Sequence, residues 1–121
     1  GEESVDIESV NLDDYLEKNN LFDKVNFVKM DIEGSEISAL GGMEKLLNRN
    51  SPLTLLTEFA PGAIVDSGND PTDLPKLLTN CGFKLYDVKS DDEIIEKTSF
   101  DELMSTYAAK KRNHTNLLCT K

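Results

Sequence analysis

The chain has little of what a disulfide framework, a zinc site or a membrane span requires. Its 121 residues include two cysteines, Cys81 and Cys119, one histidine, His114, and no tryptophan. Two distant cysteines without a C-x-x-C spacing indicate neither zinc binding nor a disulfide framework. We therefore expect reduced thiols in the core of a cytoplasmic protein. No apolar run approaches the roughly 18 residues that span a membrane, and we expect no signal peptide before the first strand.

Positive charge is scarce as well. The sequence has 13 lysines and arginines against 23 acidic residues, which gives a formal net charge of -10. Nucleic acids and anionic membranes are bound by basic faces, so we predict neither as a partner. A net charge of this size describes solubility and association rather than fold. The length suits one domain with one core, which we place at residues 1–121.

The hydrophobic pattern alternates between strand and helix, which predicts an α/β fold with a largely parallel sheet. The predicted strands are Val25–Asp31, Leu53–Phe59, Phe83–Val88 and His114–Thr120. The predicted helices are a short one ending at Lys18, then Gly34–Asn48, Pro71–Asn80 and Phe100–Ala109. The other segments are an extended one at Glu2–Leu12, a loop at Ala60–Asp70 and an unassigned polar stretch at Lys89–Thr98. Gly41-Gly42 lies inside the second helix and costs roughly 1 kcal/mol per glycine, so it predicts a helix break or a close approach to the sheet.

Acidic residues follow the first two strands directly. Asp31, Glu33 and Glu36 surround Gly34 after the first strand, and Glu58 lies at the end of the next one. In an open parallel sheet, ligands bind beyond the carboxyl ends of the strands. The sequence therefore predicts a functional site at this end of the sheet.

These residues also carry a resemblance to a known family. K-M-D-I-E-G-S-E at Lys29–Glu36, continued by Ala39–Gly42, resembles the core motif of FkbM-type methyltransferases. Weaker similarities to the same family are found at Val10–Leu16, Pro52–Glu58, Leu77–Phe83 and His114–Cys119. The resemblance implies a Rossmann-like fold with helices on both faces of a mostly parallel sheet. It also implies an antiparallel last strand between the second and third strands.

The family resemblance implies an activity as well. It predicts S-adenosylmethionine as the cofactor and methylation of a hydroxyl group on a small molecule or a sugar. However, none of the seven glycines forms a G-x-G turn after a strand, so the chain resembles only the C-terminal half of such a domain. We therefore expect it to carry the acceptor side of the site, without identified cofactor-binding residues, and to be inactive alone.

Asp31 and Glu58 are the predicted catalytic residues. Methyl transfer to oxygen needs a base for the hydroxyl proton and an acceptor held in line. Because the two strands are neighbours in the predicted topology, the carboxylates should converge, and a carboxylate pair suits Mg²⁺. The alternatives are that Asp31 caps the following helix and that Glu58 faces solvent or caps a helix.

Glu33, Glu36 and Lys29 are predicted to bind the substrate. The two glutamates also suit a helix N-terminus, where negative charge is stabilising. Lys29 lies two residues before Asp31 and therefore on the same face of the strand, where we expect it to pair with an acid. His114 is more simply an exposed or structural histidine.

Two other functions fit parts of the pattern. One is a non-enzymatic acidic α/β binding module that docks to a partner chain. The other is a receiver-like phosphoacceptor domain, although its acidic pair should end a first strand and Asp13-Asp14 instead opens a helix. The family resemblance also implies that the Val25 strand is flanked in the complete fold by the first strand of the cofactor half, which we do not find in this sequence. We therefore predict that Val5–Leu12 folds onto this open edge or that two chains form a homodimer there.

Overall fold

The computed structural model describes residues 12–32, 34–89, 94–107 and 113–121. The strands are β1 (Phe27–Met30), β2 (Thr54–Phe59), β3 (Lys84–Lys89), β4 (Ile94–Thr98) and β5 (Thr115–Thr120). The helices are α1 (Leu12–Lys18), α2 (Glu36–Gly41), α3 (Glu44–Arg49), α4 (Pro61–Asp66), α5 (Asp73–Asn80) and α6 (Phe100–Thr106). A 3-10 turn lies at Phe22–Lys24. The chain is therefore an α/β protein, as predicted, and no helix in its described part is long and apolar enough to cross a membrane.

The five strands form one sheet in the order β1-β2-β5-β3-β4. The β1 and β2 strands are parallel neighbours, and β5 lies between β2 and β3, antiparallel to both. This placement of the last strand confirms the predicted topology. The prediction of a mostly parallel sheet is wrong, because within the described residues only the β1–β2 ladder is parallel. Inserting β5 between two strands that run the same way makes both of its ladders antiparallel, and β4 returns antiparallel beside β3.

One face of the sheet, here called the covered face, carries the core. Strand residues alternate between faces, and Leu55, Phe59, Leu85, Leu117 and Cys119 on this face are at most 2% exposed. They form a single cluster with buried residues of the helices. The helical members include Leu40, Leu46, Leu47, Ile64, Leu74, Leu78 and Leu103.

The opposite face, here called the open face, lies outside that cluster. Its central side chains, Leu56, Tyr86 and Leu118, are half-buried, whereas Phe27 is 54% and Ile95 58% exposed. The described helices thus pack on one face, in contrast to the predicted helices on both. The physical reason is the direction of the connections. The chain moves from β1 to β2 to β3 in one direction across the sheet, and right-handed crossovers then place their helices on the same side.

Several local predictions need revision. The predicted helix Gly34–Asn48 is broken into α2 and α3, and a side chain at Gly41 would meet nothing within 4 Å. Gly41 therefore lies in open space, and Gly42, the C-cap of α2, marks the helix break. The predicted loop Ala60–Asp70 contains α4, which begins at Pro61, a favoured first helical residue. The unassigned polar stretch contains β4, which pairs with β3.

Asp13 shows how the first helix is attached. Its carboxylate is buried and accepts hydrogen bonds from the backbone N–H groups of Lys45 (2.7 Å) and Leu46 (3.1 Å). Asp13 therefore caps the N-terminus of α3 instead of its own helix. The predicted pairing of Val5–Leu12 with the β1 edge concerns residues that, apart from Leu12, lie outside the described part of the chain.

Candidate functional site

The carboxyl ends of β1 and β2 bring Asp31 and Glu58 together. The parallel register pairs Met30 with Thr57, so Asp31 follows β1 at the level of Glu58. Their side chains are close enough for Asp31 to influence the ionisation of Glu58. The pKa of Glu58 is raised, first by burial and then by the hydrogen bond and charge of Asp31. Since Asp31 is exposed and Glu58 half-buried, the pair is accessible to solvent.

Two residues that the sequence did not assign to the site lie close to this pair. Asn116 is directly opposite Glu58 in the antiparallel β2–β5 ladder and projects from the same open face. His114, two residues earlier, is near enough for its positive charge to lower the pKa of Glu58, although the opposite effects are larger. The topology prediction placed this strand beside β2, but only the register identifies which of its residues faces Glu58.

Glu36 lies beneath the site rather than on its surface. It is 1% exposed, and its carboxylate accepts hydrogen bonds from the backbone N–H of Gly34 (3.0 Å) and of Ile32 (3.3 Å). These bonds fold the chain after Asp31 into a fixed turn. Glu36 is the first residue of α2, so its negative charge is also favourable at the helix N-terminus.

Gly34 is essential to the same turn. Its φ of +94° is disfavoured for residues with a side chain. A Cβ there would lie 2.6 Å from both the Ala63 carbonyl oxygen and the Ser67 hydroxyl. The turn is therefore packed directly against α4, and this contact fixes the direction in which the chain leaves Asp31.

The other predicted substrate-binding residues have different positions. Lys29 is exposed on the open face, two residues before Asp31 and beside Leu56 in the register. No ion pair joins it to a carboxylate among residues 12–32, 34–89, 94–107 and 113–121, so the expected partner acid is not found there. Glu33 lies outside the described residues.

The prediction of a magnesium site at Asp31 and Glu58 is not supported. Within the part of the chain that the structure describes, no group of three or more histidine, cysteine, aspartate or glutamate side chains is placed to hold a metal ion. The arrangement suits the holding and transfer of a proton.

A second carboxylate cluster lies on the covered face. Asp87 is 5% exposed and accepts hydrogen bonds from the hydroxyl groups of Tyr107 (2.7 Å) and Thr115 (2.5 Å). Burial is the main cause that raises the pKa of Tyr107, which therefore remains a neutral donor. These bonds join the end of α6 to β3 and β5. This cluster is buried and internally satisfied, which indicates a structural role.

A comparison with known protein families gives one match that covers most of the chain. The family model for the methyltransferase FkbM domain matches residues 1–85, more than two thirds of the sequence. The matched region contains Lys29, Asp31 and Glu58, whereas β4, α6 and β5 lie beyond it. No curated protein and no solved structure matches the chain.

Proposed function

Because the chain belongs to the methyltransferase FkbM domain family, we propose that it carries the acceptor side of an S-adenosylmethionine-dependent O-methyltransferase. The observation that supports this proposal is the position of Asp31 and Glu58 side by side at the carboxyl ends of two parallel strands, where Asp31 raises the pKa of Glu58. Such an end is where an open sheet binds its ligands. An accessible carboxylate beside a second carboxyl group whose pKa is raised is suited to general-base chemistry.

In this proposal the acceptor hydroxyl group lies against Asp31. When S-adenosylmethionine is bound, it supplies an electrophilic methyl group. Asp31 accepts the hydroxyl proton, and the neighbouring Glu58 carboxylate then shares that proton with it. The raised pKa of Glu58 makes the fully ionised pair a stronger base than an isolated glutamate, because ionising the second carboxyl group beside the first is unfavourable.

The remaining residues have supporting roles in the proposal. Lys29 and Glu33 contact the acceptor, which is a small molecule or a sugar with a free hydroxyl group. Glu36 positions Asp31 through the buried turn at Gly34. Because no glycine-rich G-x-G turn follows a strand in the sequence, the cofactor is assigned to no residue of this chain, and the chain represents the C-terminal half of the domain. Its two free cysteines support a cytoplasmic location.

The test measures methyl transfer by the protein in its natural polypeptide context. Calorimetric titration with S-adenosylmethionine comes first, followed by transfer of its labelled methyl group to a panel of sugars and small alcohols. We expect Asp31→Asn to lower kcat by about 100-fold or more, with KM changed only a few-fold, because a general base acts in the transition state. Asp23→Asn is the matched control, since Asp23 is an exposed acid on a separate turn.

Two results would overturn the proposal. Failure to bind S-adenosylmethionine or to methylate any hydroxyl group would contradict the proposed activity. An unchanged kcat in Asp31→Asn, with wild-type turnover in Asp23→Asn, would retain the activity but remove Asp31 from the mechanism.

A further inference from the structure

Three polar side chains form one row on the open face, at the carboxyl ends of β1 and β2. Asp31 follows β1 at the level of Glu58 on β2, and Glu58 is directly opposite Asn116 on β5. The row becomes apolar beyond Asn116, because the next residue in register is Val88 on β3. Since neighbouring strands are about 4.8 Å apart, the row presents polar groups to a ligand over a width of about 10 Å.

Asn116 is unusual for its position in the sheet. The β5 strand is the middle one, paired with β2 on one side and β3 on the other, and asparagine is depleted in strands. Its side chain is exposed and makes no hydrogen bond to another residue of the described ranges 12–32, 34–89, 94–107 and 113–121. By contrast, the Asn50 amide donates hydrogen bonds to two backbone carbonyl groups. A residue that breaks a local preference without stabilising contacts is typical of a functional position.

The chemistry of the row changes between its second and third members. Ionised carboxylates only accept hydrogen bonds, whereas an amide donates and accepts and carries no charge. Asp31 and Glu58 therefore suit the hydroxyl group that loses its proton, but they do not fix how the rest of the acceptor molecule lies. A second group of that molecule, held by Asn116, would fix it. Two-point binding of this kind orients the reacting oxygen for methyl transfer.

The surroundings of Asn116 indicate what this second group is. An anionic group is disfavoured there, because the acids beside it carry the same charge. A cationic group would bind the carboxylates rather than the neutral amide. A neutral hydroxyl group matches the amide, since it can donate to the carbonyl oxygen of Asn116 or accept from its NH2 group. His114 lies one step beyond the last pair of the β2–β5 ladder, Phe59 and Thr115, and is therefore outside the row.

We propose that Asn116 is a specificity-determining residue that selects acceptors with two neighbouring hydroxyl groups, that is, diols. This inference rests on the proposed function, because it takes the methylated hydroxyl group to lie against Asp31 and Glu58. The second hydroxyl group then lies over β5 and forms a hydrogen bond with the Asn116 amide.

The first experiment measures binding without the cofactor, so its result does not depend on methyl transfer. The isotope-labelled whole chain is titrated with cis-1,2-cyclohexanediol and, separately, with cyclohexanol. NMR follows the side-chain NH2 group of Asn116 and the backbone amide of Glu58. We expect the diol to shift both signals and to bind about fivefold more tightly than cyclohexanol, which is the effect of one hydrogen bond of ordinary strength.

Two variants and a control assign this preference to Asn116. Asn116→Ala removes the amide, and Asn116→Asp keeps its shape but replaces the donor with a third acid. We expect each variant to bind the two compounds with affinities within about twofold of each other, because the second hydroxyl group has lost its partner. Asn48→Ala, the matched control, changes an exposed asparagine of α3 and should retain the wild-type preference. Circular dichroism verifies folding, and either Asn116 variant alone is sufficient for the test.

Three outcomes would contradict the inference. One is an unchanged Asn116 NH2 signal at saturating diol, and another is equal binding of the diol and cyclohexanol to the wild type. The third is an equal weakening of both compounds in the Asn116 variants, which would mean that Asn116 only positions Glu58. Methyl transfer is measured separately. A diol preference that depends on Asn116, without methylation of any hydroxyl group, would contradict the proposed function and retain the binding role.

Discussion

Leu117 and Leu118 are neighbours in β5, yet they belong to two different environments. Leu117 is 0% exposed in the core of the covered face, whereas Leu118 is half-buried at the centre of the open face. Leu55 and Leu56 in β2 repeat the contrast. Since each pair has the same side chain and nearly the same backbone position, the helices packed on one side make the difference. The comparison shows that a leucine in this sheet does not by itself indicate core.

Acidic residues differ between the two faces in the same way. On the covered face, Asp87 accepts hydrogen bonds from two hydroxyl donors. On the open face, Glu58 meets another acid, and its pKa is raised. A carboxylate whose hydrogen bonds are satisfied inside the protein holds the fold together, whereas one whose ionisation is opposed is available for proton transfer.

The largest expected effect is on the stability of the covered face. Leu117→Ala should lower the free energy of unfolding by about 2–5 kcal/mol, because it leaves a cavity in a close-packed core. Leu118→Ala, its matched control, should cost less than about 1 kcal/mol. The Leu118 side chain is already half exposed in the folded chain, so its removal loses less buried apolar surface. Urea denaturation of both variants provides the measurement. Equal losses would show that the open face is covered in the folded chain, and the comparison of faces would fail.

The second effect concerns the buried carboxylate. Asp87→Ala should destabilise the chain by about 2–3 kcal/mol, since it leaves the hydroxyl group of Tyr107 buried without its acceptor and leaves Thr115 only its 3.3 Å bond to the Val88 carbonyl oxygen. The exposed Asp31→Ala should change stability by less than about 0.5 kcal/mol.

A double-mutant cycle tests the reason for that loss. Tyr107→Phe removes the hydroxyl group that Asp87→Ala leaves unpaired, so Asp87→Ala should cost less in its presence, with a coupling of about 1 kcal/mol. Strict additivity of the two changes would mean that the hydrogen bond contributes nothing to stability.

Much of the fold was predictable because it is encoded locally. Apolar runs gave β1, β2, β3 and β5, and the Ser99 hydroxyl accepts a hydrogen bond from the Glu102 N–H at the start of α6, as its capping pattern predicts. The position of β5 between β2 and β3 followed from the family resemblance instead, since periodicity does not specify which strands pair.

The missed features depend on contacts between distant residues. Asp13 caps α3 across 32 residues, and Asp87 meets Tyr107 and Thr115 across 20 and 28 residues. For the site, Asp31 and Glu58 were predictable because they are the acids at the ends of the first two strands. The position of Asn116 depends on a register that no local pattern fixes.

The smallest expected effect is the pH dependence of stability at Glu58. Because the folded chain raises the pKa of this group above its ordinary value of 4.5, the folded state holds the proton more tightly than the unfolded state. Ionisation therefore lowers stability as the pH rises from 4.5 towards the raised pKa, and the loss persists at higher pH. Glu58→Gln cannot ionise, and its amide can still donate a hydrogen bond to Asp31.

Thermal denaturation at pH 4 and pH 7 can measure this effect. Glu58→Gln should match the wild-type Tm at pH 4 and exceed it modestly at pH 7. Glu17→Gln is the control, because Glu17 faces Lys45 at 3.4 Å rather than another acid, and its removal should give no gain at pH 7. If Glu58→Gln were no more stable than the wild type at pH 7, ionisation of the Asp31–Glu58 pair would not lower the stability of the folded chain. The distinction between the satisfied carboxylate of the covered face and the opposed pair of the open face would then disappear.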